Sequence, residues 1–187
     1  MSLSLLRGGL PGARWIDVEN YHITLRFIGD VDARMADDLV HQLDRIRFPA
    51  FQIRLSGVGS FGAKKPHAIW AGVAPNDALT GLQGEVARAC NRIQAPPDPR
   101  KFTPHVTLAR LKGASDAAAA NWLSARGNFS SIAFPIRRFV LMSSRDSVGG
   151  GPYVVEEAFD LAEAGAQSGE QAHGHLTGTS DAMRMGR

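Results

Sequence analysis

One short phrase occurs twice in this chain, as His22-Ile23-Thr24-Leu25 and as His105-Val106-Thr107-Leu108. Each copy lies in a β-patterned run, over residues 21–28 and 104–111. In a strand, side chains two apart share a face. His22 and Thr24 then point one way, with Ile23, Leu25 and Phe27 turned away. His105 and Thr107 likewise oppose Val106 and Leu108. Two strands that each present an imidazole with a hydroxyl beside it suit a pair of proton-transfer groups facing one cleft. Histidine fits that work because its ordinary pKa of about 6.5 lets acid and base forms coexist near neutral pH.

Plainer readings compete. A single His-x-Thr on a strand is common and usually structural. A second copy with the same apolar flanks argues for a site. A metal centre is the next competitor, since neutral imidazole is the commonest metal ligand. Zinc sites take three or four ligands, often spaced as His-x-x-x-His or Cys-x-x-Cys. Neither spacing occurs in the body of the chain, and threonine is a poor ligand for such an ion. No metal and no cofactor is expected.

The whole chain permits one domain with a real core at 187 residues. A formal charge of +3 lends mild support to a phosphate-bearing partner and cannot by itself show nucleic-acid binding. The single cysteine, Cys90, sits in a helical pattern with Val86, Ala89 and Ile93, which reads as core filler. One thiol excludes a disulfide framework within the chain. No apolar run approaches the ~18–20 residues of a membrane span. The opening residues carry no basic start and no cleavage pattern, so a cytoplasmic location is expected.

The elements that must position the two histidines follow from periodicity. Ala13 to Val18 alternates as a strand, and Tyr21 to Ile28 as the first histidine strand, closed by Gly29-Asp30. Val31 to Ile46 repeats apolar residues at helical spacing, with Asp30 or Asp32 as cap. Phe51 to Leu55 reads as a strand interrupted by the glycine-rich 57–62, and His67 to Val73 as another. Asn76 to Ile93 predicts a second helix, stopped by Pro96-Pro97-Asp98-Pro99. After the second histidine strand, Ser115 or Asp116 caps an alanine-rich helix carrying Trp122. Ile132 to Met142 and Tyr153 to Leu161 complete the strands, joined across Gly149-Gly150-Gly151. From about Glu163 the chain loses apolar spacing, which predicts a disordered tail over 163–187 containing His173 and His175. The order predicts an α+β fold of two pseudo-symmetric lobes over 1–162. Each lobe is an antiparallel sheet with helices packed outside, and a cleft lies between them.

These residues resemble the 2H phosphoesterases, a family named for two His-x-Thr motifs. The resemblance is strongest to RNA 2′,3′-cyclic phosphodiesterases, also described as 2′-5′ RNA ligases. It is carried by Leu10-Pro11-Gly12-Ala13-Arg14-Trp15, by 19–29 around His22, by Ile69-Trp70-Ala71-Gly72-Val73 and by 102–110 around His105. It spans roughly 10–161. It implies a metal-free hydrolysis of RNA 2′,3′-cyclic phosphate ends to 2′-phosphomonoesters by a monomeric enzyme, with minor 2′-5′ ligation. It also implies His22 as general acid, His105 as general base, and Thr24 and Thr107 as donors to the phosphate. Relatives usually carry a strand and helix ahead of Pro11, so the start is expected to be truncated or assigned to an internal Met.

Weaker candidates remain. Arg110 could hold phosphate, although strict alternation turns it away from His105 unless the strand bulges. Arg26 has the parity of His22 and is equally well a solvated charge. Phe61 and Trp70 are candidates to stack a base, but Trp70 reads as core. His67 follows the basic Lys64-Lys65, a cluster that suits an RNA backbone but is more simply a solvated loop. His41 reads as surface. The rival functions are hydrolysis of small cyclic nucleotides or 2′-5′ oligonucleotides, and a non-catalytic RNA-binding module.

Overall fold

The computed structural model describes residues 3–62, 65–144 and 153–163. Its strands are β1 (Ala13–Trp15), β2 (Phe51–Ile53), β3 (Leu55–Phe61), β4 (Ala68–Val73), β5 (His105–Leu111), β6 (Phe134–Ile136), β7 (Arg138–Ser144) and β8 (Tyr153–Asp160). Its helices are α1 (Ala33–Asp44), α2 (Asp77–Arg92) and α3 (Asp116–Arg126). The fold is mixed α and β with antiparallel sheets. One sheet runs β1-β5-β4-β3, and β2-β6 and β7-β8 form two-stranded pairs.

The helices begin where side-chain oxygens can satisfy free amides. Asp32 accepts from Met35 N–H, Asn76 from Leu79 N–H and Ser115 from Ala118 N–H. Two separate cores follow. Leu39 and Leu43 of α1 pack with Leu82, Val86, Ala89 and Cys90 of α2, against Phe139 and Phe159. The second core joins Ile69, Ala71, Val106, Leu108 and Ala109 of the large sheet to Trp122 of α3. Leu6 and Leu10 seal it, Leu6 from a short 3₁₀ helix (Leu3–Leu6), and Trp122 Nε1–H donates to Gly8 O. Cys90 is fully buried core filler, and burial pushes its thiol pKa up.

Three sequence expectations change. The first histidine run is not a strand over 21–28, because only Ile23 pairs, in an isolated antiparallel bridge to Val106. The chain there leaves one core for the other, with Ile23 packing on the sheet core and Leu25 and Ile28 on the helical core. A continuous ladder cannot follow that crossing. The glycine-rich 57–62 does not break a strand: 57–61 lies within β3, where Gly57 at φ +71° absorbs a register shift, and Gly62 follows its end. The strand expected over 132–142 is divided between β6 and β7. Lys64, Gly149 to Gly151, His173 and His175 lie outside the described residues, as does 164–187.

Candidate active site

The bridge between Ile23 and Val106 sets the register of the two motifs. Continued by one residue each way, antiparallel pairing brings His22 across from Thr107 and Thr24 across from His105. All four side chains then leave the face opposite Ile23 and Val106, which turn into the sheet core. Directly opposed Cβ atoms in such a pair lie about 4.5–5.5 Å apart, and diagonal ones somewhat under ~7–8 Å. Ideal antiparallel geometry carried outward from that single bridge gives a quartet with histidines on one diagonal and threonines on the other.

Both imidazoles are held in the same way. His22 Nδ1 lies 2.8 Å from Asn20 O and His105 Nδ1 lies 2.6 Å from Thr103 O, in each case the carbonyl two residues earlier. A carbonyl only accepts, so Nδ1 must carry its hydrogen in both rings. Nε2 is left as the working nitrogen, able to take a proton when neutral or give one when charged. Each ring also meets an aromatic edge-to-face: His22 with Tyr153 at 4.7 Å between centroids and His105 with Phe61 at 4.8 Å. Among the described residues no group of three or more His, Cys, Asp and Glu is gathered as a metal site would need.

Register assigns the rest of this face. Trp70 of β4 pairs with Thr107, so its ring stands on the histidine side, 6.0 Å from His105, and not in the core as its neighbours suggest. The ring lies over Gly59, and Phe61 leans on it at 5.6 Å. Arg110 reaches the same face through a bulge. Ala109 pairs with Ile69 and Thr107 with Trp70, which leaves Leu108 as the extra residue. Leu108 and Ala109 are both fully buried, alternation resets, and Arg110 emerges exposed on the side of His105.

The remaining candidates separate. Arg26 is not a solvated charge: half-buried, it donates from Nη2 to Pro96 O at 2.6 Å, tying the first motif to the connector that precedes β5. That connector grips again through Asp98, whose carboxylate accepts both forks of Arg100 at 2.8 and 2.9 Å and the Phe27 N–H at 3.4 Å. Arg100 caps the Phe27 ring at 4.8 Å, and its guanidinium holds the Asp98 carboxyl pKa well below the usual carboxylate range. His67 is exposed and stacks on Phe61 at 6.4 Å, and His41 is on the surface. Sequence reasoning missed Tyr153, Asp98 and Arg100. Asp98 and Arg100 had a local signal in an acid and a base two apart beside prolines; Tyr153 had none.

The architecture and the paired motifs define a class, and comparison with known proteins agrees. The crystal structure of E. coli LigT complexed with 3′-AMP superimposes with a TM-score of 0.66 at 25% identity, over 80% of this chain and 82% of that one. Residues 14–147 match the 2′-5′ RNA ligase superfamily, and the chain belongs to it. An RNA 2′,3′-cyclic phosphodiesterase from Aeropyrum pernix is 39% identical over 118 residues, 62% of this chain and 66% of that protein. Another, from Aquifex aeolicus, is 31% identical over 156 residues, covering 79% and 81%. The match thus spans just under two thirds of the Aeropyrum protein's length.

Proposed function

We propose that this protein opens 2′,3′-cyclic phosphate ends of RNA with water, leaving a 2′-phosphomonoester. The observation that carries the reading is the pair of imidazoles with matching Nδ1 anchors, on two motifs joined by the Ile23–Val106 bridge. Relatives named as RNA 2′,3′-cyclic phosphodiesterases support it.

His105 Nε2 takes a proton from water as its oxygen attacks phosphorus. The bond from phosphorus to the ribose 3′-oxygen breaks, and His22 Nε2–H protonates that oxygen. The proton gained by one ring equals the proton lost by the other, and solvent exchange resets both. Each transfer is typically worth ~10²–10⁴ in rate. Thr24 and Thr107 donate to the non-bridging phosphate oxygens and hold phosphorus between the rings. Arg110, on the same face, supplies a guanidinium to the phosphates. The mechanism calls on no metal or cofactor. With the 5′-hydroxyl of a second strand in place of water, the same opening forms a 2′-5′ phosphodiester and frees the 3′-hydroxyl, as a minor ligation. The reading takes the protein as a cytoplasmic monomer; no helix among the described residues is long and apolar enough to cross a membrane.

The test is incubation of an RNA ending in a 2′,3′-cyclic phosphate, with chelator present, and identification of the product. A 2′-phosphate is expected. Intact substrate, a 3′-phosphate, or activity only without chelator would each overturn the mechanism.

A further inference from the structure

The two edges of β5 have different neighbours at the site. Val106 pairs with Ile23 on one edge and with Ala71 of β4 on the other. Crossing the sheet, the order is therefore first motif, β5, β4, β3. His22 lies to one side of His105, and the rings of Phe61 and Trp70 lie to the other. Their centroids are 4.8 and 6.0 Å from that of His105.

The outermost member of this aromatic row is His67, stacked on Phe61 at 6.4 Å with 26° between the planes. Its main chain is pinned at both ends. The N–H donates to Phe61 O at 2.9 Å, and the carbonyl accepts from Leu111 N–H at 2.8 Å. The turn beneath it closes at Gly62, φ +93°, where a Cβ would strike Lys65 O and His67 Nδ1. His67 is thus an exposed ring on a fixed backbone, backed by Phe61 and open to solvent beyond it.

Direction decides what this shelf can hold. In phosphoryl transfer the attacking and leaving oxygens stand roughly in line across phosphorus. In the proposed mechanism the ribose 3′-oxygen leaves toward His22, so the nucleoside of the cyclic end lies on that side. The attacking oxygen comes from the side of His105, where the aromatic row stands. Water needs no shelf there. A nucleoside that brings its 5′-hydroxyl in place of water does, because its base must be held while its oxygen is aimed. Rings such as those of Phe61 and His67 are stacking surfaces for unpaired bases.

We infer that Phe61 and His67 form an acceptor subsite, which stacks the 5′-terminal base of a second RNA strand and presents its 5′-hydroxyl to His105. His105 Nε2 takes the hydroxyl proton as the 5′-oxygen bonds to phosphorus. The bond to the 3′-oxygen breaks, His22 protonates that oxygen, and the 2′-oxygen keeps its bond, giving a 2′-5′ phosphodiester. The inference rests on the cyclic-phosphate reading and on its assignment of base and acid. It makes His67 a residue that decides between water and an RNA strand as nucleophile.

The experiment supplies an RNA with a 2′,3′-cyclic phosphate end and a separate 5′-hydroxyl oligoribonucleotide over a concentration series. Joined product and 2′-phosphate are scored in the same reaction. Joining by the wild type is expected to saturate with acceptor. His67→Ala is expected to raise the half-saturating acceptor concentration about tenfold, the scale of one stacked base, with acceptor-free hydrolysis little changed. His67→Phe should restore the wild-type value, because an uncharged ring also stacks a base. An acceptor with an abasic 5′ end should join weakly and should not distinguish His67→Ala from the wild type. An abasic acceptor as good as the intact one would overturn the subsite. So would a His67→Phe variant as impaired as His67→Ala, or a loss in His67→Ala shared equally by hydrolysis. Formation of 2′-phosphate without saturable joining overturns the acceptor subsite alone, whereas absence of both products overturns the cyclic-phosphate reading with it.

Discussion

Ile23 faces Val106 across a single antiparallel bridge, and that pairing joins two motifs that lie far apart in the chain. In the proposed mechanism the acid and the base are one device, because each ring supplies one half of a single proton exchange. His22→Asn and His105→Asn are each expected to lower kcat by at least ~10²-fold. The double variant should lose little more than the worse single one, as groups that act as a unit do. Losses that multiply would mean that the two histidines act independently. The wild-type pH–rate curve should be bell-shaped, each single variant removing one limb.

On the proposed reading the threonines act through hydroxyl donors and not through shape. Thr24→Val and Thr107→Val keep the branched outline and remove one donor each. A hydrogen bond to a charged group is worth about 1.5–3 kcal/mol, so each change should cost ~10–10²-fold in kcat/KM. Thr→Ser at either position should recover most of it. Valine variants with wild-type kinetics would remove the threonines from the phosphate site.

Trp70 lies on Gly59, and a Cβ there would enter the indole ring. Gly59→Ala must therefore push the ring toward Phe61 and His105, its other neighbours on that face. Overpacking of this kind costs typically ~1–3 kcal/mol, and here it should also lower kcat/KM about tenfold. Gly113→Ala is the contrast: nothing crowds its Cβ, but φ of +79° strains it. That change should cost about 1 kcal/mol of stability and leave turnover intact. Equal activity in both variants would separate the Trp70 wall from the chemistry.

How much of this was legible in the sequence depends on where each partner sits. Helices α1 to α3 and strand β5 were readable because their apolar spacing and capping residues are local. The run after His22 has the same alternation as β5, yet alternation does not reveal whether a neighbouring strand is present to complete a ladder. Only Ile23 found one. Arg110 was undecidable for a similar reason, since one extra residue at Leu108 reverses every face beyond it. Trp70 looked like core among Ile69 and Ala71, but its pairing with Thr107 turns it to the site. Tyr153, which abuts His22, lies 131 positions away in a hairpin whose docking no local pattern announces.

The connector before β5 supplies the last test, because Asp98 joins it to the backbone of Phe27. Asp98 is only 14% exposed, accepts both forks of Arg100, and has its pKa depressed chiefly by that hydrogen bonding. A carboxylate with a depressed folded pKa contributes stability that is present above its unfolded value, near 3.9, and lost as pH falls toward the folded one. Asp98→Asn should therefore lower stability by roughly 1–2 kcal/mol at pH 7. In chemical denaturation the gap between variant and wild type should narrow steadily as pH drops below about 4. Because the clasp holds the segment carrying His22 against the one leading to His105, kcat should fall several-fold with KM little changed. A stability gap that persists undiminished at low pH would mean that packing, and not the carboxylate, holds the connector in place.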